Sequence, residues 1–250
     1  MPTRRSSNSP AATATSLKLR CSRLEDLLRT ALASRARARA DLDRARTRLR
    51  TAGDDFVMAF EAIDARTDAA IAAAEMRGLL GHDLDVDTML TVATEHLLAR
   101  FRPTNLAIWL CNARGDHGLA AYGASDTPRG RAEATLALIG REVCPGIAAD
   151  AAPLVVESAL DLVHAPPPGG GVLPGRRAMI CPMAHRGERF GTILLLQDQS
   201  APWQPNAAEQ LGSIAGVLGE QIDRITRIVM QRSSSWPGSG PSGRDASGAD

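Results

Sequence analysis

The sequence predicts an α+β fold: an antiparallel sheet of about five to six strands covered by helices, preceded by an N-terminal helical hairpin or coiled coil. Three observations predict it. Apolar residues recur at helical steps over 17–80, short alternating apolar runs occur between 105 and 197, and a second helical stripe covers 205–231. Apolar residues make up 44% of the 250 residues but aromatic ones only 3%, so alanine fills much of the helical packing.

The two ends of the chain have the composition of disordered tails. Residues 1–16 are rich in Ser, Thr, Pro and Ala, and residues 232–250 in Ser, Gly and Pro. Neither has the apolar content that offsets the entropy of ordering. Both are predicted to be disordered, which leaves 17–80 and 82–231 as the folded segments.

Segment 17–80 has the pattern of a coiled-coil seam with two helical parts. Apolar residues, mostly leucine and alanine, recur at alternating steps of four and three from Leu17 to about Thr51, with Arg35 as the misfit. Gly53 favours a break, and a second apolar seam begins at Phe56. The pattern predicts an antiparallel hairpin of two helices, with a single kinked rod as the alternative.

Charge is unevenly distributed along the chain. Residues 1–50 carry thirteen basic and four acidic residues, a net charge of +9, and residues 51–100 carry three and ten, a net charge of −7. Opposite signs in adjacent blocks predict that the two blocks face each other. The whole chain has a net charge of only +1, so no global field favours nucleic acid or an anionic membrane.

A lone helix pair buries too little surface to be stable by itself, which predicts a homodimer through 17–80 and the 205–231 helix. The dimer contacts are expected at the apolar seam and at small residues of the last helix that permit close approach. These residues are Leu24, Leu28, Leu42, Leu49, Phe56, Phe60, Gly212 and Gly216.

From residue 82 onward, helical and strand patterns alternate. Asp85 is a predicted helix cap, and Pro103 ends the helix that follows it. The predicted strands are 105–111, 118–123, 154–157, 177–184 and 190–197. Helices are predicted at 131–143 and 205–231, with a Pro/Gly-rich loop over 164–175.

This order of elements over roughly 82–231 resembles a GAF domain. Cys181-Pro182-Met183 and Gly191-Thr192-Ile193-Leu194 stand where that family has a Val-Pro-Leu-like step and a Gly-Val-Leu strand, with Gly187 as the turn glycine between them. The resemblance implies a bacterial signal-transduction regulator: a non-catalytic sensory or scaffold module that holds partners in register and signals through its helices. The output then belongs to a protein partner, because no output pattern is visible in this chain.

A ligand pocket is expected on one face of the predicted sheet, between the 131–143 helix and the 158–175 loop that cover this face. Its candidate lining residues are Trp109, Cys111, Tyr122, His164, Cys181 and Met183. Core packing is the competing interpretation, since Met and Cys are among the residues most often buried. The family's Asn-Lys-Phe-Asp-Glu motif and its bilin-binding Cys-His step are both missing, so the sequence requires no cofactor and names no ligand.

Two other function classes remain open. Cys111, Cys144 and Cys181 allow a thiol-based redox sensor or an enzyme like free methionine sulfoxide reductase, although no neighbouring His or Lys would activate a thiolate. The Arg-rich run 35–50 allows a nucleic-acid-associated regulator, although a solvated helix face is the simpler interpretation. No catalytic or metal-binding motif is apparent. Without a signal peptide or a bilayer-length apolar run, we expect a cytoplasmic protein with no membrane partner.

Overall fold

The computed structural model describes residues 10–81, 85–112, 114–165 and 171–234, in two compact units, 1–61 and 62–250. The predicted tail 232–250 lies outside the described residues from 235 onward, and so do 1–9 of the predicted tail 1–16. The helices are α1 Pro10–Leu80, α2 Val86–Phe101, α3 Arg129–Glu142 and α4 Ala207–Ser234. The strands are β1 Asn105–Cys111, β2 His117–Ala124, β3 Leu154–Val156, β4 Arg176–His185 and β5 Glu188–Asp198.

The N-terminal segment is one continuous helix, so the predicted hairpin is wrong. Helix α1 has 71 residues and begins at Pro10, inside the predicted tail. Gly53 is helical, with open space where a Cβ would stand. One glycine costs a helix interior only about 1 kcal/mol, which is too little to break a helix made of Ala, Arg and Leu. The acidic residues from Asp54 to Glu75 continue the same helix, so within α1 the two charged blocks do not face each other.

The five strands form one antiparallel sheet in the order β2-β1-β5-β4-β3, as the predicted fold class requires. The central strands β5 and β4 have continuous apolar runs because both faces of the sheet are covered. Two short 3-10 helices, Cys144–Gly146 and Ala159–Leu162, join α3 to the second half of the sheet.

Helix α2 begins where the sequence predicts. The Asp85 carboxylate accepts a hydrogen bond from the Thr88 backbone N–H at 2.9 Å, which satisfies a donor of the first turn. The helix ends at Arg102, which adopts a left-handed conformation just before Pro103. Both boundaries therefore follow from local chemistry.

Each face of the sheet has its own apolar core. On one face, the end of α1 packs with α2 and α4 against side chains such as Leu106, Cys181, Met183 and Ile193. On the other face, α3, the 3-10 helices and residues 172–173 cover a second cluster; its sheet residues are Ala107, Trp109, Ala178, Ile180, Leu194 and Leu196. Alternation along β1 and β4 decides which core each residue joins.

Helix α4 contains three glycines, and two of them allow close packing against other parts of the same chain. A Cβ at Gly219 would lie 2.7 Å from the Ala184 carbonyl oxygen, and a Cβ at Gly212 would lie 3.1 Å from the Pro153 ring. Gly216 alone has open space around it. The dimer role of Gly212 and Gly216 stays a prediction.

Candidate ligand site

A cavity of about 450 Å³ opens between the β1–β2 hairpin and helix α3, and we call it the α3 cavity. Apolar, basic and acidic side chains all contribute to its wall. They are Trp109, Gly115, Asp116, His117, Leu119, Arg129, Glu133, Ala137, Gly140, Arg141 and Pro145. Its size is within the range of pockets that hold small molecules.

The inner wall of the cavity depends on a close contact between β1 and α3. Trp109 points to the α3 face of the sheet and is only 1% exposed. A Cβ at Gly140 would stand 2.8 Å from the indole Nε1 of Trp109, so only glycine lets the helix lie this close. The glycine therefore fixes the distance between α3 and the sheet at this end of the cavity.

The rim of the cavity is a hydrogen-bonded turn between β1 and β2. The Asn112 side-chain oxygen accepts hydrogen bonds from the backbone N–H groups of Arg114 and Asp116, at 2.9 and 3.0 Å. Gly115 has a φ of 86°, a conformation that glycine adopts without strain. These bonds hold the Asp116 carboxylate at the mouth of the cavity.

Both ring nitrogens of His117, the first residue of β2, are buried, and neither makes a hydrogen bond of normal geometry, although the Gly115 backbone lies close enough to act on the ring. Burial lowers the pKa of His117 below its ordinary value of 6.5, and the positive charge of Arg189 lowers it further; the Gly115 carbonyl and Asp116 act in the opposite direction. The ring is therefore neutral at neutral pH. Unpaired buried nitrogens are costly, which makes this the polar group of the cavity wall most in need of a partner.

Arg189 of β5 fixes the segment that follows α3. Its guanidinium donates hydrogen bonds to the carbonyl oxygens of Cys144 and Pro145, at 3.0 and 3.2 Å, and to that of Ile147. Carbonyl groups at a helix end lack partners within the helix, so one cation satisfies several of them. Pro145, which lines the cavity, is held in place by these bonds.

The wall of the cavity carries both signs of charge. Arg129, Glu133, Ala137 and Arg141 follow one another on the same face of α3, opposite Asp116 of the rim. The cavity therefore suits a small ligand that carries both positive and negative groups. Its wall contains no thiol and no hydroxyl nucleophile.

Of the six predicted ligand residues, the structure brings only Trp109 to this cavity. Cys181 and Met183 belong to the core on the opposite face, because they occupy the other set of alternating positions in β4. Cys111 pairs with His117 in the β1–β2 ladder but lies outside the wall. A single pocket cannot join residues on both faces of a sheet, so the six do not form the predicted cluster.

Tyr122 takes part in a hydrogen-bond network within the chain and does not line the cavity. Its hydroxyl oxygen lies 2.8 Å from both the Asn105 side-chain oxygen and the Thr127 carbonyl oxygen. Asn105 in turn donates to Asp126 at 2.7 Å, and Asp126 is paired with Arg176. Burial raises the pKa of Tyr122 to about 12, and Asp126 adds to the effect. The phenol is therefore neutral at neutral pH, and its hydroxyl group connects β1, β2 and the loop before α3.

The space between α3 and the described part of the 158–175 loop, where the sequence predicts the pocket, is filled by apolar side chains of both segments. Val163, Val172 and Leu173 are buried in the core on the α3 face. Gly171 has a positive φ, and an added Cβ would collide with the Thr135 hydroxyl. His164 lies exposed beside this packed segment. Its predicted ligand role stays a prediction.

The four cysteines are free and are not grouped. Strand β5 lies between the strands of Cys111 and Cys181, and these two residues belong to opposite faces. Burial raises the pKa of the Cys144 and Cys181 thiols to about 12, so both stay protonated near neutral pH. This arrangement does not favour the thiol-enzyme alternative.

The Arg-rich run 35–50 is exposed along its whole length. Arg44 pairs with Asp41 at 2.7 Å and Arg46 with Asp43 at 3.9 Å, each within one helix turn. Part of the basic charge of the run is therefore paired with acidic residues of α1 itself. The nucleic-acid alternative stays a prediction.

Of the cavity wall, the sequence predicts only Trp109; it does not point to His117 and Gly140, nor to the charged residues Asp116, Arg129, Glu133 and Arg141. A lone histidine after a turn and a glycine inside a helix are common, and neither has a spacing that predicts a cavity. The useful signal was Trp109 on a strand together with a glycine in the following helix, since a bulky and a missing side chain complement each other.

The solved structures similar to this chain include several GAF domains. The GAF domain of a phosphoenolpyruvate-protein phosphotransferase from Coxiella burnetii has 13% identity and a TM-score of 0.49, covering 66% of this chain and 98% of that chain. A GAF domain of a putative sensor histidine kinase from Pseudomonas syringae pv. tomato has 14% identity and a TM-score of 0.44, covering 72% and 97%. Free methionine-R-sulfoxide reductase from Neisseria meningitidis, in complex with its substrate, has 17% identity and a TM-score of 0.48, covering 63% and 89%.

No family model matches the chain, and no curated protein does. The order of helices and strands from α2 to α4 is the one that the sequence resemblance to a GAF domain predicts. The identities are only 13–17% and the TM-scores are below 0.5. The similarity therefore indicates no ligand, activity or partner for this chain. In the part of the chain that the structure describes, no helix is long and apolar enough to cross a membrane, and no three His, Cys, Asp or Glu side chains could hold a metal ion.

Proposed function

We propose that this chain is a non-catalytic sensory or scaffold module of GAF type. It binds a small charged ligand in the α3 cavity, forms a homodimer through its helices and acts on a protein partner that carries the output. No cofactor is required. The α3 cavity is the observation that carries the ligand part of the proposal, because an unpaired buried histidine and both signs of charge meet there.

The wall chemistry supports binding over catalysis. Glu133 and Asp116 attract an ammonium group, while Arg129 and Arg141 attract a carboxylate or phosphate. The wall contains no cysteine, serine or threonine that could act as a nucleophile. We therefore expect a zwitterionic or multiply charged metabolite as the ligand.

The exposed apolar residues of α1 support the homodimer. Leu24, Leu28, Leu42 and Leu49 are all more than half exposed in the single chain. Contiguous exposed apolar surface of this kind marks a protein contact. Light scattering at micromolar concentration should give twice the chain mass, and a monomer would contradict this part of the proposal.

A thermal-shift screen with free amino acids, nucleotides and other charged metabolites tests the ligand part on the full chain. The informative variant is Ala137→Phe, because Ala137 is an exposed wall residue whose enlargement fills the cavity without disturbing the core. We expect a compound that raises the melting midpoint of the parent and has at least tenfold weaker affinity for this variant.

The matched control is Ala134→Phe, since Ala134 is also exposed on α3 but lies outside the cavity wall. It should bind the compound as the parent does. If no compound shifts the parent at millimolar concentration, the sensory proposal is wrong and the scaffold role remains. Equal weakening in both variants would place the ligand elsewhere.

A further inference from the structure

Residues 17–59 of α1 carry an apolar seam, interrupted by Arg35, that nothing in the described chain covers. From Leu17 to Ala59 the seam residues follow steps of four and three, and the helix continues straight through Gly53. Leu28, Leu49 and Phe56 are 65%, 74% and 66% exposed. A seam with this period is the surface along which two helices supercoil around each other.

The heptad pattern assigns a position to each residue of the seam. Cys21, Leu28, Arg35, Leu42, Leu49 and Phe56 occupy the a positions. The d positions begin with Leu24 and continue as alanines at 31, 38, 45, 52 and 59. Large residues at a and small ones at d bring two helix backbones close together, so the flanking e and g residues of both copies meet.

The charges that flank the seam favour one orientation. In a parallel dimer each g residue faces the e residue five positions later in the other copy. This places Arg20 against Glu25 of the second copy, and Asp41 against Arg46 of the second copy. Both pairs are of opposite charge. None of the facing e–g pairs along 17–59 brings two like charges together.

The antiparallel orientation places like charges together. Aligning the same seam end to end brings Arg39 against Arg39 and Asp41 against Asp41 at the centre of the dimer. The acidic block offers little compensation, because only Asp54, Asp55 and Glu61 of its ten acids lie in the unit 1–61. The bonds that Asp41 and Arg46 make within one chain are exposed pairs of small energy and can be exchanged for contacts to a second copy.

We propose that residues 17–59 form a parallel, in-register, two-stranded coiled coil with a second copy of this chain. The proposal rests on the homodimer of the proposed function and adds its orientation and register. Arg35 then faces Arg35 of the second copy at an a position. Its long stem lets the charged groups reach water, and a single polar a residue fixes register at a cost in stability.

Cys21 allows a direct test, because it is an a residue and the exposed cysteine of the chain. In the parallel dimer, the two Cys21 thiols face each other and should form a disulfide when the full chain is treated with copper phenanthroline. In the antiparallel dimer, Cys21 lies near Ala59 of the other copy, so the two thiols are about 57 Å apart. The fraction of disulfide-linked dimer is measured by non-reducing gel electrophoresis.

Two variants in a Cys21→Ser background extend the test along the seam. Leu49→Cys places a thiol at an a position four heptads further on, and Arg37→Cys places one at an outer c position as the control. We expect efficient linkage of the parent and of Leu49→Cys, and at least fivefold less linkage of Cys21→Ser alone and of Arg37→Cys.

The outcomes separate the two proposals. A monomer in light scattering overturns the coiled coil together with the homodimer. A dimer that links neither through Cys21 nor through Leu49→Cys overturns the parallel arrangement and leaves the homodimer intact. Equal linkage of Leu49→Cys and Arg37→Cys shows random collision, and it also overturns the register proposed here.

Discussion

Tyr122 shows how a single hydroxyl can hold three segments. Its phenol lies 2.8 Å from the oxygens of Asn105 and Thr127, and Asn105 is almost completely buried. Tyr122→Phe removes the donor and leaves a buried acceptor unpaired. We expect the free energy of unfolding to fall by about 1–3 kcal/mol, measured by urea denaturation.

The control for this change is Ser125→Ala in the same region. The Ser125 hydroxyl bonds to the Thr104 carbonyl at 3.0 Å, but the bond is exposed and water can replace it. The stability of this variant should change much less. If Tyr122→Phe leaves the urea midpoint unchanged, Tyr122 does not hold these segments and its predicted ligand role gains weight.

His117 should make the domain less stable in mild acid. Its pKa is lowered in the folded chain, mainly by burial, so below pH 6.5 the unfolded chain binds a proton that the folded chain does not. Stability is therefore present at neutral pH and decreases as the pH falls below 6.5. His96 shifts in the same direction, again mainly through burial, so removing His117 should lessen the loss without abolishing it.

Urea denaturation of His117→Gln between pH 7.5 and 5 measures this effect. The variant should lose less stability than the parent over that interval. His164→Gln, at an exposed histidine, is the control and should follow the parent. Parallel curves for His117→Gln and the parent would show that the ring of His117 titrates as it does in the unfolded chain.

At the scale of the element, α3 carries two glycines with different surroundings. A Cβ at Gly140 would stand 2.8 Å from Trp109, whereas nothing lies within 4 Å of one at Gly130. Gly140→Ala should therefore lower the free energy of unfolding by about 1–3 kcal/mol through overpacking. Gly130→Ala should leave it unchanged or raise it by up to about 1 kcal/mol, because alanine favours the helix.

Thermal unfolding of both variants in parallel checks this pair of changes. Gly140→Ala should also weaken any ligand found by the screen, since α3 must move away from the sheet at the cavity wall. Equal melting midpoints for the two variants would show that α3 is not held against Trp109.

The regular elements follow from local patterns, and for that reason the sequence predicts them closely. The strand predicted at 105–111 is β1, and those predicted at 177–184 and 190–197 lie within β4 and β5. The break expected at Gly53 does not occur, since one glycine outweighs neither the neighbouring helix formers nor the continuing seam. Local signals of this kind carry a small energy, and longer patterns override them.

The site could not be predicted in the same way, because a cavity depends on which side chains fail to fill a space. Cys181, Met183 and Trp109 all have the character of pocket residues, but strand alternation divides them between two cores. Val172 and Leu173 fill space between α3 and the loop, where the sequence predicts a ligand pocket. Only the packed arrangement of α3 on the sheet leaves the cavity beside His117.

At the scale of the whole molecule, the two core clusters draw all their residues from positions 72 to 225. None of them lies in the unit 1–61. A chain that begins at residue 62 therefore keeps every buried contact of both clusters. Its melting midpoint at low concentration should stay within a few degrees of that of the parent, measured by circular dichroism.

The same truncation separates the two surfaces predicted for the dimer. If the seam of Leu24, Leu28, Leu42 and Leu49 carries the dimer, the truncated chain should be a monomer in light scattering while its fold and its ligand response survive. If the open face of α4 around Gly216 carries it, the truncated chain should remain a dimer, and Gly216→Leu should dissociate it. We expect the monomer, because Gly212 and Gly219 are already used for contacts within the chain, whereas the α1 seam is covered by nothing in the described structure.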